Sequence, residues 1–193
     1  MKELSVYKIR DMVLSSGRSV FSPQQLSNLI NRPKPVSTVY MSRLVAKGLA
    51  SKVLRGRIAF GNDDFVIATQ LVEPSYISFD SALLFHGIIK QVPRNVECAT
   101  SRNSITYKEL GIEYHKIPER LFFGYERHRR GTSYAFVATA EKALVDGLYL
   151  NRYDETRFEE LADGLNFAGI ARMLKRFTGK GSVRMKRAIK SLA

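Results

Sequence analysis

Apolar residues in the first sixty positions recur at helical spacing and then change to short β-branched runs. Leu4, Tyr7, Val13 and Leu14 predict a helix from about Glu3 to Ser15, ended by Ser16-Gly17, where glycine accepts positive φ. Ser22-Pro23-Gln24-Gln25 has a capping serine, a proline suited to the first helical position and a glutamine three residues after the cap. It predicts a second helix from Pro23 to about Ile30, with Leu26, Leu29 and Ile30 inward. Asn31-Arg32-Pro33-Lys34-Pro35 predicts a tight turn, because two prolines remove donors and restrict the residues before them. A third helix follows from Val36 to Lys47 and ends at Gly48; Tyr40 and Leu44 share its inner face, and Ser37, Thr38, Met41 and Ser42 lie beside or opposite. Leu49 packs back, and Ser51–Arg55 and Arg57–Phe60 flank Gly56 as a hairpin.

Two helices, a proline-rich turn, a third helix, Gly-Leu and a basic hairpin follow the order of a winged helix-turn-helix. A helix of this kind fits the DNA major groove and offers small polar side chains to base edges, while a basic hairpin reaches phosphates or the minor groove. The expected DNA contacts are Arg32, Lys34, Ser37, Thr38, Met41, Ser42, Arg43, Lys47, Arg55 and Arg57. By helical phase Arg43 suits a phosphate better than a base, and Val39 and Val45 fall on neither face cleanly. The competing reading is a winged helix used for protein contacts, against which the positive hairpin and the Arg32/Lys34 turn argue.

Asp63-Asp64 and the stretch Thr69–Pro74 form the expected junction, dividing the chain into a DNA-binding domain over 1–70 and a second domain over 71–193. In the second, Ser78–Gly87 reads as a capped helix ended by glycine. Candidate strands are Asn95–Thr100, Ile112–Ile117, Leu121–Tyr125 and Tyr134–Val137, and a further helix opens at Thr139. Phe167–Phe177 and Val183–Leu192 read as two helices broken at Thr178-Gly179-Lys180-Gly181, with Ser182 as the second cap. The expected fold class is α+β: a winged helix-turn-helix, then a mixed α/β domain ending in basic helices.

Charge sharpens this division. The 193 residues carry a formal net charge of +13. Residues 1–70 hold 11 Lys and Arg against 4 Asp and Glu, for +7; residues 71–163 hold 12 against 14, for −2; residues 164–193 hold 8 and no acid, for +8. Charge concentrated at the two ends points to an anionic partner rather than to solubility alone. The mean hydropathy of −0.17 and 45% hydrophobic content exclude disorder throughout. The single cysteine, Cys98, excludes an intrachain disulfide and a thiolate-rich metal cage, and fits a reducing compartment. No run approaches the ~20 apolar residues of a membrane span, and the Met-Lys-Glu-Leu start lacks the apolar stretch of a signal peptide, so a cytoplasmic protein is expected.

With the winged-helix order before them, the phrases YISFDSALLFHGII, CATS and FVATAEKALVDGLYL resemble the AbiEi-type antitoxins, transcriptional regulators of type IV toxin–antitoxin pairs. The resemblance spans nearly the whole chain. Ser81-Ala82-Leu83 with His86-Gly87, and Thr139-Ala140-Glu141-Lys142-Ala143-Leu144-Val145-Asp146, carry most of it. It implies a repressor that binds inverted repeats in its own promoter through the N-terminal domain. Its partner is a nucleotidyltransferase-like toxin, opposed without a stable complex, and the C-terminal domain is the part linked to antitoxicity. The alternative is a stand-alone winged-helix regulator whose second domain binds a ligand or a protein.

The residues give little sign of catalysis. Glu141 and Lys142 are adjacent on one helix, where a nuclease site of the carboxylate-x-Lys kind needs the alternation of a strand, and Asp146 lies five after Glu141, off its face. His86 before Gly87 suits a packed or C-capping role. His115 alternates in a strand, His128 stands in a solvated basic turn, and no two histidines have the spacing of a metal pair. Cys98 reads as a small buried residue, and Gly179-Lys180-Gly181-Ser182 lacks the strand and glycine spacing of a phosphate loop. No enzyme activity, metal or cofactor is therefore expected. The basic tail over 164–193, with Lys175, Arg176, Lys180, Arg184, Lys186, Arg187 and Lys190, reads as a second nucleic-acid surface. An acidic protein or an anionic membrane are the other readings, and the absence of aromatics on the last helix argues against the membrane.

Overall fold

A computed structural model describes residues 4–177 of the chain. It is α+β, with eight α-helices, a three-stranded antiparallel sheet and a six-stranded mixed sheet among the described residues. The chain divides into two compact units. One runs to Glu73 and includes Arg127–Ala135; the other comprises Pro74–Glu126 and continues from Phe136.

In the first unit, Ser5 caps α1 (Val6–Ser16), its hydroxyl accepting from the Tyr7 N–H at 3.2 Å, and Gly17 closes the helix at φ 72°. Its inner stripe is Val6, Ile9 and Val13. Tyr7 and Leu14 are 53% and 39% exposed, so the phase expected from Tyr7 and Leu14 is corrected by about one residue. After β1 (Val20–Phe21) comes α2 (Pro23–Ile30), where the expected capping box is present: Ser22 Oγ accepts from the Gln25 N–H, and Gln25 Oε1 accepts from the Ser22 N–H. The helix α3 (Lys34–Ala46) begins two residues before the sequence expectation. Proline costs a helix nothing in its first turn, whose N–H groups have no intrahelical partner, so Pro35 lies inside α3 and Pro33 sits at its N-cap.

The strands β2 (Ser51–Leu54) and β3 (Arg57–Ala59) form the hairpin around Gly56 (φ 70°), and β1 pairs with β3 to complete the order β1-β3-β2. Val13, Phe21, Leu26, Tyr40, Leu44 and Ile58 lie in one core beneath these elements. The helix α4 (Asp64–Leu71), capped by Asp63, occupies much of the stretch around the expected junction, and the two units part between Glu73 and Pro74. Gln70 shows why α4 belongs here: buried, it accepts from the Ser19 and Val20 N–H groups and donates to Ser133 Oγ and the Tyr134 carbonyl. All of its amide's principal demands are met by one interaction set.

The second unit contains β4 (Ser75–Ile77), α5 (Phe79–Phe85), β5 (Val96–Thr100), β6 (Ile105–Tyr107) and β7 (Ile112–Lys116). After these come β8 (Tyr125–Arg130) and β9 (Ser133–Ala138), of which the portion Arg127–Ala135 is counted with the first unit, and then α6 (Ala140–Tyr149), α7 (Glu155–Ala162) and α8 (Phe167–Leu174). The sheet order is β6-β7-β5-β4-β9-β8, with β5/β7 and β4/β9 parallel. The strand expected over Leu121–Tyr125 is not present. A 3-10 turn at Glu119–Leu121 leads into Gly124 at φ 73°, and the strand begins at Tyr125. It runs through Arg127-His128-Arg129-Arg130, which is therefore not a turn. A strand at the end of a sheet tolerates charge on both faces, and this hides it from apolar alternation. Helix α8 ends at Leu174, three residues short of the expectation; the helix read over Val183–Leu192 lies outside the described residues.

Candidate functional site

Of the ten expected DNA contacts, Lys34, Thr38, Ser42, Arg43 and Lys47 are exposed along α3, Arg55 is exposed in the hairpin, and Arg32 and Arg57 are half-buried. Ser37 and Met41 are buried, although Met41 still lines the groove described below. Three residues before Tyr40, Ser37 falls on the inner face beside Tyr40, Met41 and Leu44, and its hydroxyl donates to the Pro33 carbonyl. Val36 and Val39 point outward instead.

Thr38 and Ser42 lie one turn apart. Each donates its hydroxyl proton to the carbonyl four residues back, Thr38 to Lys34 at 3.1 Å and Ser42 to Thr38 at 3.3 Å. This satisfies the donor within the helix and leaves oxygen lone pairs facing out as acceptors. The two side chains line a groove of about 400 Å³ whose opposite wall is the hairpin, through Lys52, Leu54, Gly56 and Arg57. Lys52 was not among the expected contacts, although its alternation with Leu54 in a basic strand is visible in the sequence. Arg43 lies over the Tyr40 ring, 5.7 Å from its centroid, which orients the guanidinium along the helix surface. Arg32 stands at the other end of α3, donating to the Asn31 carbonyl, and does not line the groove.

The second unit holds charges of a different kind. Lys142 and Asp146, four apart on α6, are fully buried and form an ion pair. Asp146 also accepts from Tyr76 Oη at 2.8 Å and Ser78 Oγ at 2.9 Å, so Ser78, although at the N-cap of α5, spends its hydroxyl on Asp146 rather than on the helix end. The Lys142 ammonium sits over the rings of Phe123, Phe177 and Tyr76 at 4.7, 5.4 and 5.8 Å. Burial lowers the Lys142 pKa and raises that of Asp146, while each charge supports the other. Sequence reasoning set Asp146 against Glu141, at a spacing of five, and missed the Lys142–Asp146 spacing of four on the same helix.

A second charged group lies on β5 and β7. Glu97 and Glu113 are register partners in the parallel pair, and His115, two residues beyond Glu113, lies on the same face. The Glu113 Oε2 to His115 Nε2 distance is 3.6 Å. Arg152 donates to Glu97 Oε1 and, at 3.1 Å, to His115 Nε2. Burial, only partly offset by Arg152, raises the Glu97 pKa to about 6, while burial and Arg152 lower that of His115. Beside these residues is a cleft of about 500 Å³ also lined by Asp80, Lys90, Arg94 and Arg157. Phe79, at φ 53°, places its buried ring against His115 and under Arg152.

No family model and no curated protein matches this chain. His86 caps α5 and donates from Nε2 to the Ala138 carbonyl at 2.7 Å; Cys98 is buried, and burial raises its thiol pKa. Arg176 lies over Phe123 at 4.0 Å and Lys175 is exposed at the end of α8. Lys180, Arg184, Lys186, Arg187 and Lys190 lie outside the described residues. No described helix is long and apolar enough to cross a membrane.

Proposed function

We propose that the chain is a cytoplasmic, sequence-specific DNA-binding repressor that acts as the antitoxin of a type IV toxin–antitoxin pair and represses its own operon. The observation that carries DNA binding is the groove where Thr38 and Ser42 of α3 face Lys52 and Arg57 of the hairpin. An α-helix with its side chains is about 10–12 Å across, the width of the major groove, and hydroxyl acceptors on its outer face suit the exocyclic amines of adenine and cytosine. Arg55 and Arg57 supply the phosphate-directed charge, and Lys34 and Lys47 extend it to both ends of the helix.

The order of three helices, with a strand before the second and a hairpin after the third, supports reading this unit as a winged helix-turn-helix. The antitoxin reading rests on the sequence resemblance; in it the toxin is a functional rather than a stably bound partner, and the operator holds inverted repeats. A second reading, a stand-alone regulator whose second unit takes a ligand, is favoured by the charged cleft beside Glu97 and Glu113.

Fluorescence anisotropy with a duplex from immediately upstream of the gene, against a scrambled duplex at the same salt, tests the proposal. We expect the upstream duplex to bind about 10³-fold more tightly or better. Equal affinities would remove sequence-specific repression. Co-expression with the product of the adjacent gene separates the two readings: restored growth supports the antitoxin, and a neighbour without toxicity supports the stand-alone regulator.

A further inference from the structure

The group on β5 and β7 is arranged as a cation site. Like charges directly opposite on neighbouring strands repel, and Glu97 and Glu113 are such a pair. A proton or a positive charge between the carboxylates relieves that repulsion, and Arg152 already supplies charge to Glu97. One ligand atom each from Glu97, Glu113 and His115 lies within 4.8 Å of the other two. The 3.6 Å between Glu113 Oε2 and His115 Nε2 is close to the ~3.4 Å separating ligand atoms around a tetrahedral ion with bonds of about 2.0–2.2 Å.

Two further observations point to an ion. Glu97 is 6% exposed and lines the cleft, and among the described residues its Oε2 has no hydrogen-bond partner, so a buried lone pair is held where a cation would satisfy it. His115 Nε2 accepts from Arg152, which has no acceptor capacity of its own, so the ring carries its proton on Nδ1 and presents to the site the lone pair that metals take. Asn95 Nδ2 donates to Glu113 Oε1 and orients that carboxylate, as the outer partners of metal ligands do.

We propose that Glu97, Glu113 and His115 bind a divalent transition metal ion of the zinc class, and that the Arg152 guanidinium competes with it. One imidazole and two carboxylates select zinc, cobalt or manganese over calcium and magnesium, which prefer oxygen throughout. Arg152 follows Asn151 at φ 60° in the turn after α6 and is one-third exposed, so its side chain can leave the three ligands without unfolding the sheet. The sequence expectation of no metal site looked for paired histidines, whereas these ligands come from two strands brought into register by the sheet.

Titration of the tag-free, chelator-treated full chain with Co²⁺, followed by its visible d–d absorption and by competition with Zn²⁺, reads the site. We expect one ion per chain. Glu113→Gln and His115→Ala should each weaken binding by about ten-fold or more. Arg152→Ala should strengthen it, and His128→Ala should leave it unchanged. Far-ultraviolet circular dichroism of each variant establishes that it is folded, and the gain of affinity in Arg152→Ala does not depend on any loss of structure. Binding that is indifferent to Glu113→Gln and His115→Ala, or no binding even by the Arg152→Ala chain, would overturn the site. Weaker binding by Arg152→Ala would overturn the competition.

Discussion

The outer face of α3 with its hairpin and the interior of the second unit are both rich in polar side chains, but they place charge in opposite ways. On the first, Lys34, Lys47 and Arg55 are exposed, and Thr38 and Ser42 close hydrogen bonds only with their own helix. In the second, Lys142 and Asp146 are sealed from solvent, and Asp146 is held by three donors, one from its own helix and two from the Tyr76–Ser78 stretch. An exposed charge costs the fold almost nothing to keep and almost nothing to lose, so it is available for a partner. A buried pair is costly to break because the partner left behind remains desolvated. The same residue types therefore imply contact in one place and architecture in the other, and burial decides between them.

This contrast makes separable predictions. Asp146→Ala should have the largest effect, lowering stability by roughly 3–5 kcal/mol in urea denaturation because it leaves the Lys142 ammonium buried and unpaired. Replacing both partners, as Lys142→Met with Asp146→Leu, should cost less than Asp146→Ala alone. A double variant as damaging as the two single changes added together would show that the pair is not the unit of stability. Next in size is Glu97. Its pKa is raised from 4.5 to about 6 by folding, so the folded chain holds that proton more tightly than the unfolded chain. Its contribution is fully present below pH 4.5 and is lost as pH rises through 6, a change of about 2 kcal/mol. Arg152, Asp80, Glu113 and His115 face the same carboxyl, so the measurement is the difference between wild type and Glu97→Gln in chelator. That difference should grow in favour of Glu97→Gln between pH 4.5 and 6; a flat difference would contradict it.

Smaller effects belong to the surface. Thr38→Ala and Ser42→Ala should change stability by under about 0.5 kcal/mol, since both hydroxyls bond only to their own helix and both side chains are exposed. Each should shift the preference among DNA sequences by about 1 kcal/mol, read as the ratio of affinities for operators differing at one base pair. An equal loss on every sequence would assign these residues to phosphates.

Much of the first unit was legible because local chemistry decides it. The Ser22–Gln25 capping box, the Gly17 and Gly56 positions and the Tyr40–Leu44 stripe are short-range signals, and each appears where it was expected. Its errors were errors of phase. The inner stripe of α1 moves by about one residue to Val6, Ile9 and Val13, and on α3 Ser37 and Met41, each three residues before Tyr40 or Leu44, fall on the inner face. The second unit was less legible because its polar groups are explained only by tertiary partners. Asp146 finds Tyr76 and Ser78 about 70 residues earlier in the chain, and Glu97 finds Glu113 and His115 through strand register. Spacing along the sequence carries neither relation. Strand β8 escaped for a related reason: at the sheet edge its basic residues need no apolar alternation.

The central claim is that α3 and the hairpin form one DNA-binding face. Its most direct test is the salt dependence of affinity for the upstream duplex, measured for the wild-type chain and for Arg55→Ala with Arg57→Ala. If both arginines meet phosphates, the double change should weaken binding to specific and scrambled duplexes alike and reduce the slope of log K against log salt by about 2. An unchanged affinity and slope at moderate salt would place the hairpin away from DNA and contradict the account.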